Sequence, residues 1–390
     1  MKEFKAILAA YKELKPNQTK AALATVVKVK GSSYRSPGAR MLITDDGKWV
    51  GSISGGCLEG DALRKARKVM ADKKPLTVTY DTREESNQNL GISLGCNGVI
   101  DVLIEPITPE HNPIPLFEKC IQANEPVVMA TVIRGEGVGE KMIVGQQSAI
   151  QSFQDEKRSE CVLPLLIEIF DSKKSETKIF YNNENECEVF LEFIQPSLSV
   201  IIFGGGFDAR PVSQLAKSLG WEVQVTDECV AHIAPIFFPN ADKLSLCQRE
   251  YIERDFNVTA YTACILMSHN YEYDRDVLKK LICTSTPYIG ILGPRKRFNK
   301  MLLEFKKDGL DLTTEQLHRI HSPIGLDIGA EAADEIAISI VAEIQSKFAN
   351  RSGGFLKYNP GPIHQRDPNS DQVFKQVYLI ENGEKKISFQ

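Results

Sequence analysis

The first hundred residues alternate between helical and strand-like spacing of apolar positions. MKEFKAILAAYKELK reads as an amphipathic helix, and ALATVVKVKG and ARMLITDDGKWVGSISG read as strands, with DDG supplying a hairpin turn. After Cys57 the apolar residues Leu58, Ala62, Ala66, Val69 and Met70 recur with a helical period, so a helix begins at or just after the cysteine. LTVTYD and VIDVLIEPI are further strands, separated by the polar loop DTREESNQNLGISLGCNG. From about 110 to 195, PVVMATVIRG, KMIVGQ and KIFYNN read as strands, and EKRSEC and DSKKSET read as polar connections between them.

A different pattern starts at Ser199. SVIIF is a continuous apolar run of the kind found in a buried parallel strand, and Gly204, Gly205 and Gly206 follow it. A helix then carries Val212, Leu215, Ala216 and Leu219 on one face and closes at Gly220. WEVQVTD is the next strand, ending at Asp227. AYTACILMSH, the helix YDRDVLKKLI, and TPYIGILG continue the alternation, and AEAADEIAISIVAEIQSKF forms a last helix. The predicted fold class is α/β: an N-terminal α/β domain over 1–195, a Rossmann-like doubly wound domain over 196–348, and an extended Gly/Pro-rich tail over 349–390. No internal repeat is evident.

Composition narrows the functional classes. The 390 residues are 42 % hydrophobic and 25 % charged, with a net charge of −4, which suits a globular protein and disfavours a nucleic-acid partner. No stretch approaches the roughly 20 apolar residues of a membrane span, and the N-terminus lacks the features of a secretory signal, so a cytoplasmic location is expected. Nine cysteines, an odd number without a CxxC, point to reduced thiols. Cys120, Cys161, Cys187, Cys247, Cys264 and Cys283 lie beside apolar residues and read as small hydrophobes.

Cys57 in ISGGCLEG and Cys96 in SLGCNG differ from these because glycines flank them and leave the backbone open to a ligand. At the start of a helix, the amides around Gly55, Gly56 and Cys57 would favour a thiolate or hold an anion. Upstream, Lys28, Lys30, Arg35 and Arg40 form a basic stretch with no acid between Lys28 and Thr44. Nucleophile, redox pair and soft metal ligand are all open to the two thiols. In the second domain GGGFDA fits G-x-G-x-x-A, with Gly204, Gly205 and Gly206 in the turn and Asp227 where a ribose-binding acid belongs. His269 and Arg295 follow later strands at the same edge of the sheet, where such folds bind ligands.

Taken in order, GSSYRSPGARMLI, GSISGGCLEG, LGISLGCNGVIDVLIEP, IIFGGGFDA, MSHNYEYD, YIGILGPRKRF and RIHSPIGLDIGAEAADEIAISIVAEI resemble the XdhC/CoxI family, accessory factors of xanthine dehydrogenase and related molybdenum hydroxylases. The resemblance departs from the family pattern at Phe207, after Asp227, where no arginine follows closely, and at Asn97. It implies a chaperone that binds molybdenum cofactor transiently, protects it, supports its sulfuration by a cysteine desulfurase, and inserts it into an apo molybdenum hydroxylase. It also implies a homodimer, with Cys57 and Cys96 as contacts to the metal. Two alternatives come from the glycine loop: an NAD(P)-dependent oxidoreductase using Asp227 and His269, and a nucleotide-sensing regulator.

Overall fold

The computed structural model describes residues 1–15, 19–31, 33–82, 98–146, 149–182, 185–358, 377–381 and 384–388, and within it Glu3–Pro196 and Ser197–Pro360 form two units. In the first unit α1 (Lys2–Glu13) leads into β1 (Ala21–Gly31), β2 (Arg40–Thr44), β3 (Trp49–Gly51), α2 (Glu59–Asp72), β4 (Leu76–Asp81) and β5 (Gly98–Ile107). The same succession follows in α3 (Ile114–Gln122), β6 (Val127–Arg134), β7 (Lys141–Val144), β8 (Ala149–Gln151), α4 (Glu156–Ser172), β9 (Glu176–Asn182) and β10 (Asn185–Ile194). Each half makes an antiparallel sheet, ordered β3-β2-β1-β5-β4 in the first and β8-β7-β6-β10-β9 in the second.

The first unit is therefore one arrangement built twice, contrary to the absence of a repeat expected from the sequence. The registers coincide: Thr25 faces Arg40 and Leu103, while Thr131 faces Lys141 and Phe190. Gly38 donates to the carbonyl of Val26 at 2.8 Å, and Gly139 donates to that of Val132 at 2.8 Å. Sequence identity survives only in fragments, in Ala24-Thr25-Val26 against Ala130-Thr131-Val132 and in Lys73-Lys74 against Lys173-Lys174. Connections of unequal length erase a constant period, so the repeat is invisible to a search for one.

The halves pack sheet to sheet and exchange contacts reciprocally, as two copies about a twofold axis would. Val27, Leu103, Ile133 and Phe190 form a small core between them, and the rings of Phe4 and Phe117 stack at 4.4 Å. The Thr77 hydroxyl donates to the carbonyl of Ile133 at 2.6 Å, and that of Thr177 donates to Val27 at 2.8 Å. Charges are swapped in the same way. Lys28 pairs with Glu188 and Arg134 with Asp101, and deeper in, Arg40 pairs with Glu192 and Lys141 with Glu105.

Helices α2 and α4 cover the outer faces of the two sheets. Helix α2 buries Ala62, Ala66, Val69 and Met70, and α4 buries Val162, Leu166 and Ile169 at matching positions. The expected polar connection at EKRSEC is in fact the start of α4. Pro164 argues against a helix in the sequence, but it lies on the solvent side, where the helix accommodates it.

The second unit runs β11 (Ser199–Phe203), α5 (Ala209–Ser218), β12 (Glu222–Asp227), β13 (Lys243–Leu246), α6 (Ile252–Asp255), β14 (Thr262–Leu266), α7 (Tyr271–Leu281), β15 (Tyr288–Ile291), α8 (Arg295–Lys307), α9 (Thr314–His318), β16 (Ile320–His321) and α10 (Ala333–Phe348). Its six strands are all parallel, in the order β13-β12-β11-β14-β15-β16, which is the Rossmann order with its switch point between β11 and β14. Apolar cores fill both faces of this sheet, one beneath α5 and α10 and the other beneath α7 and α8. The tail expected to be extended contains a hairpin, β17 (Val377–Glu381) and β18 (Glu384–Ser388).

Candidate functional site

The loop between β3 and α2 wraps around a carboxylate. Glu59, the first residue of α2, turns its side chain back so that Oε1 accepts from the Ser52 hydroxyl at 2.7 Å and from the amides of Ile53, Ser54 and Gly55 at 3.0–3.2 Å. Its Oε2 accepts from the amides of Gly56 at 2.9 Å and Leu58 at 3.2 Å, and from the Ser54 hydroxyl. Gly55 and Gly56 make this wrapping feasible, with φ of 101° and 123°. Burial alone would push the Glu59 carboxyl up, but the Ser54 and Ser52 hydroxyls and the surrounding amides outweigh it and hold the group down at about 2.

Cys57 is half-buried at the outer turn of this loop, between two residues whose amides hold Glu59. A shallow depression beside it is lined by Ser33, Tyr34, Ser54, Cys57, Leu58, Thr82 and Ile100. Tyr34 lies directly over Gly55, where a Cβ would come within 2.7 Å of its ring, and it is 69 % exposed. Cys96 falls outside the described residues. Its near neighbour in sequence, Gly98, exchanges hydrogen bonds with Thr82, a residue of the depression.

The basic stretch predicted beside Cys57 is largely neutralised. Arg35 pairs with Glu3, and Lys28 with Glu188. Arg40 is 3 % exposed, lies under the rings of Phe4 and Phe117, and is bidentate on Glu192. Its charge serves the packing of the two halves, so it is not presented to a ligand.

The second half supplies an internal control. In sequence, residues 32–39, 52–58 and 82–97 separate β1 from β2, β3 from α2 and β4 from β5, whereas 135–140, 152–155 and 183–184 separate the matching elements of the other half. All three connections at this end are longer in the first half. Ser33 and Tyr34 from the first, Ser54, Cys57 and Leu58 from the second and Thr82 from the third line the Cys57 depression, and the elements they join are common to both halves.

In the second unit the glycine loop after β11 is also closed by a carboxylate. Asp227 accepts from the Gly205 amide at 2.8 Å, the Cys229 amide at 2.8 Å and the His232 imidazole at 3.1 Å. Gly204 is required by close packing, since a Cβ there would meet the Ser268 backbone at 2.4 Å. His269 has a left-handed φ of 60° and pairs with Asp208 at 3.2 Å beside Gly206. Arg295 is exposed in the first turn of α8, while Arg297 reaches back to the buried Asp274 at 2.7 Å. Arg210 stacks on Phe237 at 3.7 Å. The HSPIG segment is held by Glu343, which accepts from His321 at 3.0 Å, the Gly325 amide at 2.8 Å and the Tyr288 hydroxyl at 2.5 Å.

Among the other cysteines, burial pushes the thiols of Cys120 and Cys264 up to about 12, so they serve as inert core groups. Among the described residues no cluster of three or more His, Cys, Asp or Glu side chains is placed to hold a metal ion, and no helix is long and apolar enough to cross a membrane. Glu59 and Tyr34 are the residues the sequence reading misses. The signal for Glu59 was an acid at the first turn of a helix after two serines and two glycines.

Residues 15–81 match the XdhC and CoxI family and residues 200–344 match the XdhC Rossmann domain. The chain is 31 % identical to a protein of Bacillus subtilis (strain 168) described as a probable xanthine dehydrogenase subunit, over 84 % of this chain and 93 % of that protein. It is 23 % identical to the molybdenum cofactor insertion chaperone PaoD of Escherichia coli (strain K12), over 84 % of this chain and 83 % of the relative. A crystal structure described as a xanthine dehydrogenase from Bacillus halodurans superposes with a TM-score of 0.71 at 29 % identity, covering 89 % of this chain and 97 % of the other.

Proposed function

The chain belongs to the XdhC and CoxI family, and on that premise we propose that it is a molybdenum-cofactor chaperone. It holds the cofactor, protects it, supports its sulfuration by presenting it to a cysteine desulfurase, and passes it to an apo molybdenum hydroxylase of the xanthine dehydrogenase type. In this reading it works in the cytoplasm as a homodimer, and its task is holding and transfer rather than turnover. The relative named as a molybdenum cofactor insertion chaperone aligns over most of both chains, which supports the reading at the level of the whole protein.

The observation that carries it is the half-buried Cys57 on a glycine loop whose shape is set before any ligand arrives. A thiol so placed suits a soft, sulfur-ligated metal centre, and the exposed face of Tyr34 beside it suits the flat pterin. Cys57 and Cys96 would meet the molybdenum end of the cargo. The glycine loop of the second unit would take an anion only after Asp227 released the Gly205 amide, so the proposal gives it no part in holding the metal. Purified protein is expected to bind the cofactor near stoichiometrically and to lose it in Cys57→Ala and Cys96→Ala. Unchanged binding in both variants would remove the cysteine assignment.

A further inference from the structure

Nests of backbone amides built on glycines usually receive an anion from outside the loop. The nest around Gly55 and Gly56 has received one from inside. Glu59 is 7 % exposed and is surrounded by donors from Ser52, Ile53, Ser54, Gly55, Gly56 and Leu58. A carboxylate this buried is tolerated because its lone pairs are satisfied and because it sits at the positive end of α2.

The matching turn in the second half shows what the fold itself requires. There Asp155 caps α4 with a bond to the Lys157 amide at 3.0 Å, and the chain passes from strand to helix through residues 152–155. The caged carboxylate of the first half is more than a helix start needs, and Cys57 lies between Gly56 and Leu58, two of the residues whose amides hold it.

We infer that Glu59 is the positioning residue for Cys57: its carboxylate is the loop's permanent anion, and it fixes the backbone on both sides of the thiol. Two consequences follow. The loop presents sulfur to a ligand, because its amides are already taken. An anionic group on that ligand, such as a phosphate, is recognised away from the amides of Gly55 and Gly56. The inference rests on the proposed function only in taking Cys57 as the group that meets the cargo.

The test uses the full chain with Glu59→Ala and Glu59→Gln, and reads the rate at which iodoacetamide alkylates Cys57 at one fixed pH. The exposed Cys161 and Cys283 serve as internal standards. With the cage opened, Cys57 is expected to react about tenfold faster in Glu59→Ala, with Cys161 and Cys283 unchanged, since donors left without a partner reorganise the loop. Added formate should refill the nest and return the rate toward that of the parent chain. Rates within about twofold of the parent in both folded variants, a change that formate does not reverse, or loss of folding in both variants would each overturn the inference. Cofactor retention measured on the parent chain separates the two claims. A parent that holds no cofactor removes the proposed function and leaves the alkylation result standing.

Discussion

The two halves of the first unit pair their strands in the same register but close them differently. Where they agree, equivalent residues make reciprocal contacts: Arg40 with Glu192 and Lys141 with Glu105, Thr77 with Ile133 and Thr177 with Val27. Where they differ, the first half has longer stretches of sequence between the shared elements, with described residues of each lining the depression beside Cys57, and the second half has shorter ones. What is common to both copies is scaffold, and what is confined to one is available for function. By this rule Arg40, a basic residue near Cys57 in sequence, belongs to the scaffold, while Glu59, an ordinary-looking helix acid, belongs to the site.

The largest effects should come from breaking what the halves share. Arg40→Met leaves Glu192 buried without its partner, and Lys141→Met leaves the buried Glu105 with His111 alone. Each is expected to cost about 3–5 kcal/mol in denaturant unfolding, with Lys141→Met at the lower end because His111 stays beside Glu105, and a cost confined to one variant would break the equivalence of the copies. Next come the matched glycines. Gly38 (φ 94°) and Gly139 (φ 92°) have no room for a Cβ, which would meet Glu192 at 2.6 Å in one and His111 at 2.6 Å in the other. Alanine at either position should lower stability by about 1–3 kcal/mol, and a marked asymmetry would show that the halves carry unequal loads.

A smaller effect is expected with pH. Burial would raise the carboxyl of Glu105, but Lys141 and His111 outweigh it and hold it below the usual glutamate range. A depressed carboxyl contributes stability above its unfolded value of about 4.5, and that stability is lost as pH falls below it. The unfolding free energy of the parent should therefore drop on acidification through that range, and the drop should be shallower in Lys141→Met. The smallest stability change is predicted for Cys57→Ser, within about 0.5 kcal/mol of the parent, because the residue lies on the loop of one half and has no counterpart in the scaffold. A large loss of stability there would return Cys57 to the scaffold.

Much of this organisation was legible in the residues. A fully buried parallel strand writes itself as SVIIF followed by a glycine turn, so the second unit could be drawn from β11 to Asp227. The glycines around Cys57 likewise marked a special turn. What could not be read was where each charge goes. Arg35 and Arg40 look free in a stretch without acids because their partners, Glu3 and Glu192, come from α1 and from the other half. Glu59 looks like a first-turn acid because the backbone donors that cage it leave no trace in residue type. The repeat was hidden for a related reason: it is kept in register and burial, which tolerate Met129 for Leu23 and Lys141 for Arg40, while the stretches between its elements changed length.

The most direct test loads the purified full chain with molybdenum cofactor and measures activation of an apo molybdenum hydroxylase, with Cys57→Ser alongside as a folded control. The parent chain should activate the hydroxylase, and Cys57→Ser should lose about tenfold or more in retained cofactor and in activation at unchanged stability. A parent chain that neither retains the cofactor nor activates the hydroxylase, or a Cys57→Ser variant that does both as well as the parent, would contradict the proposed function.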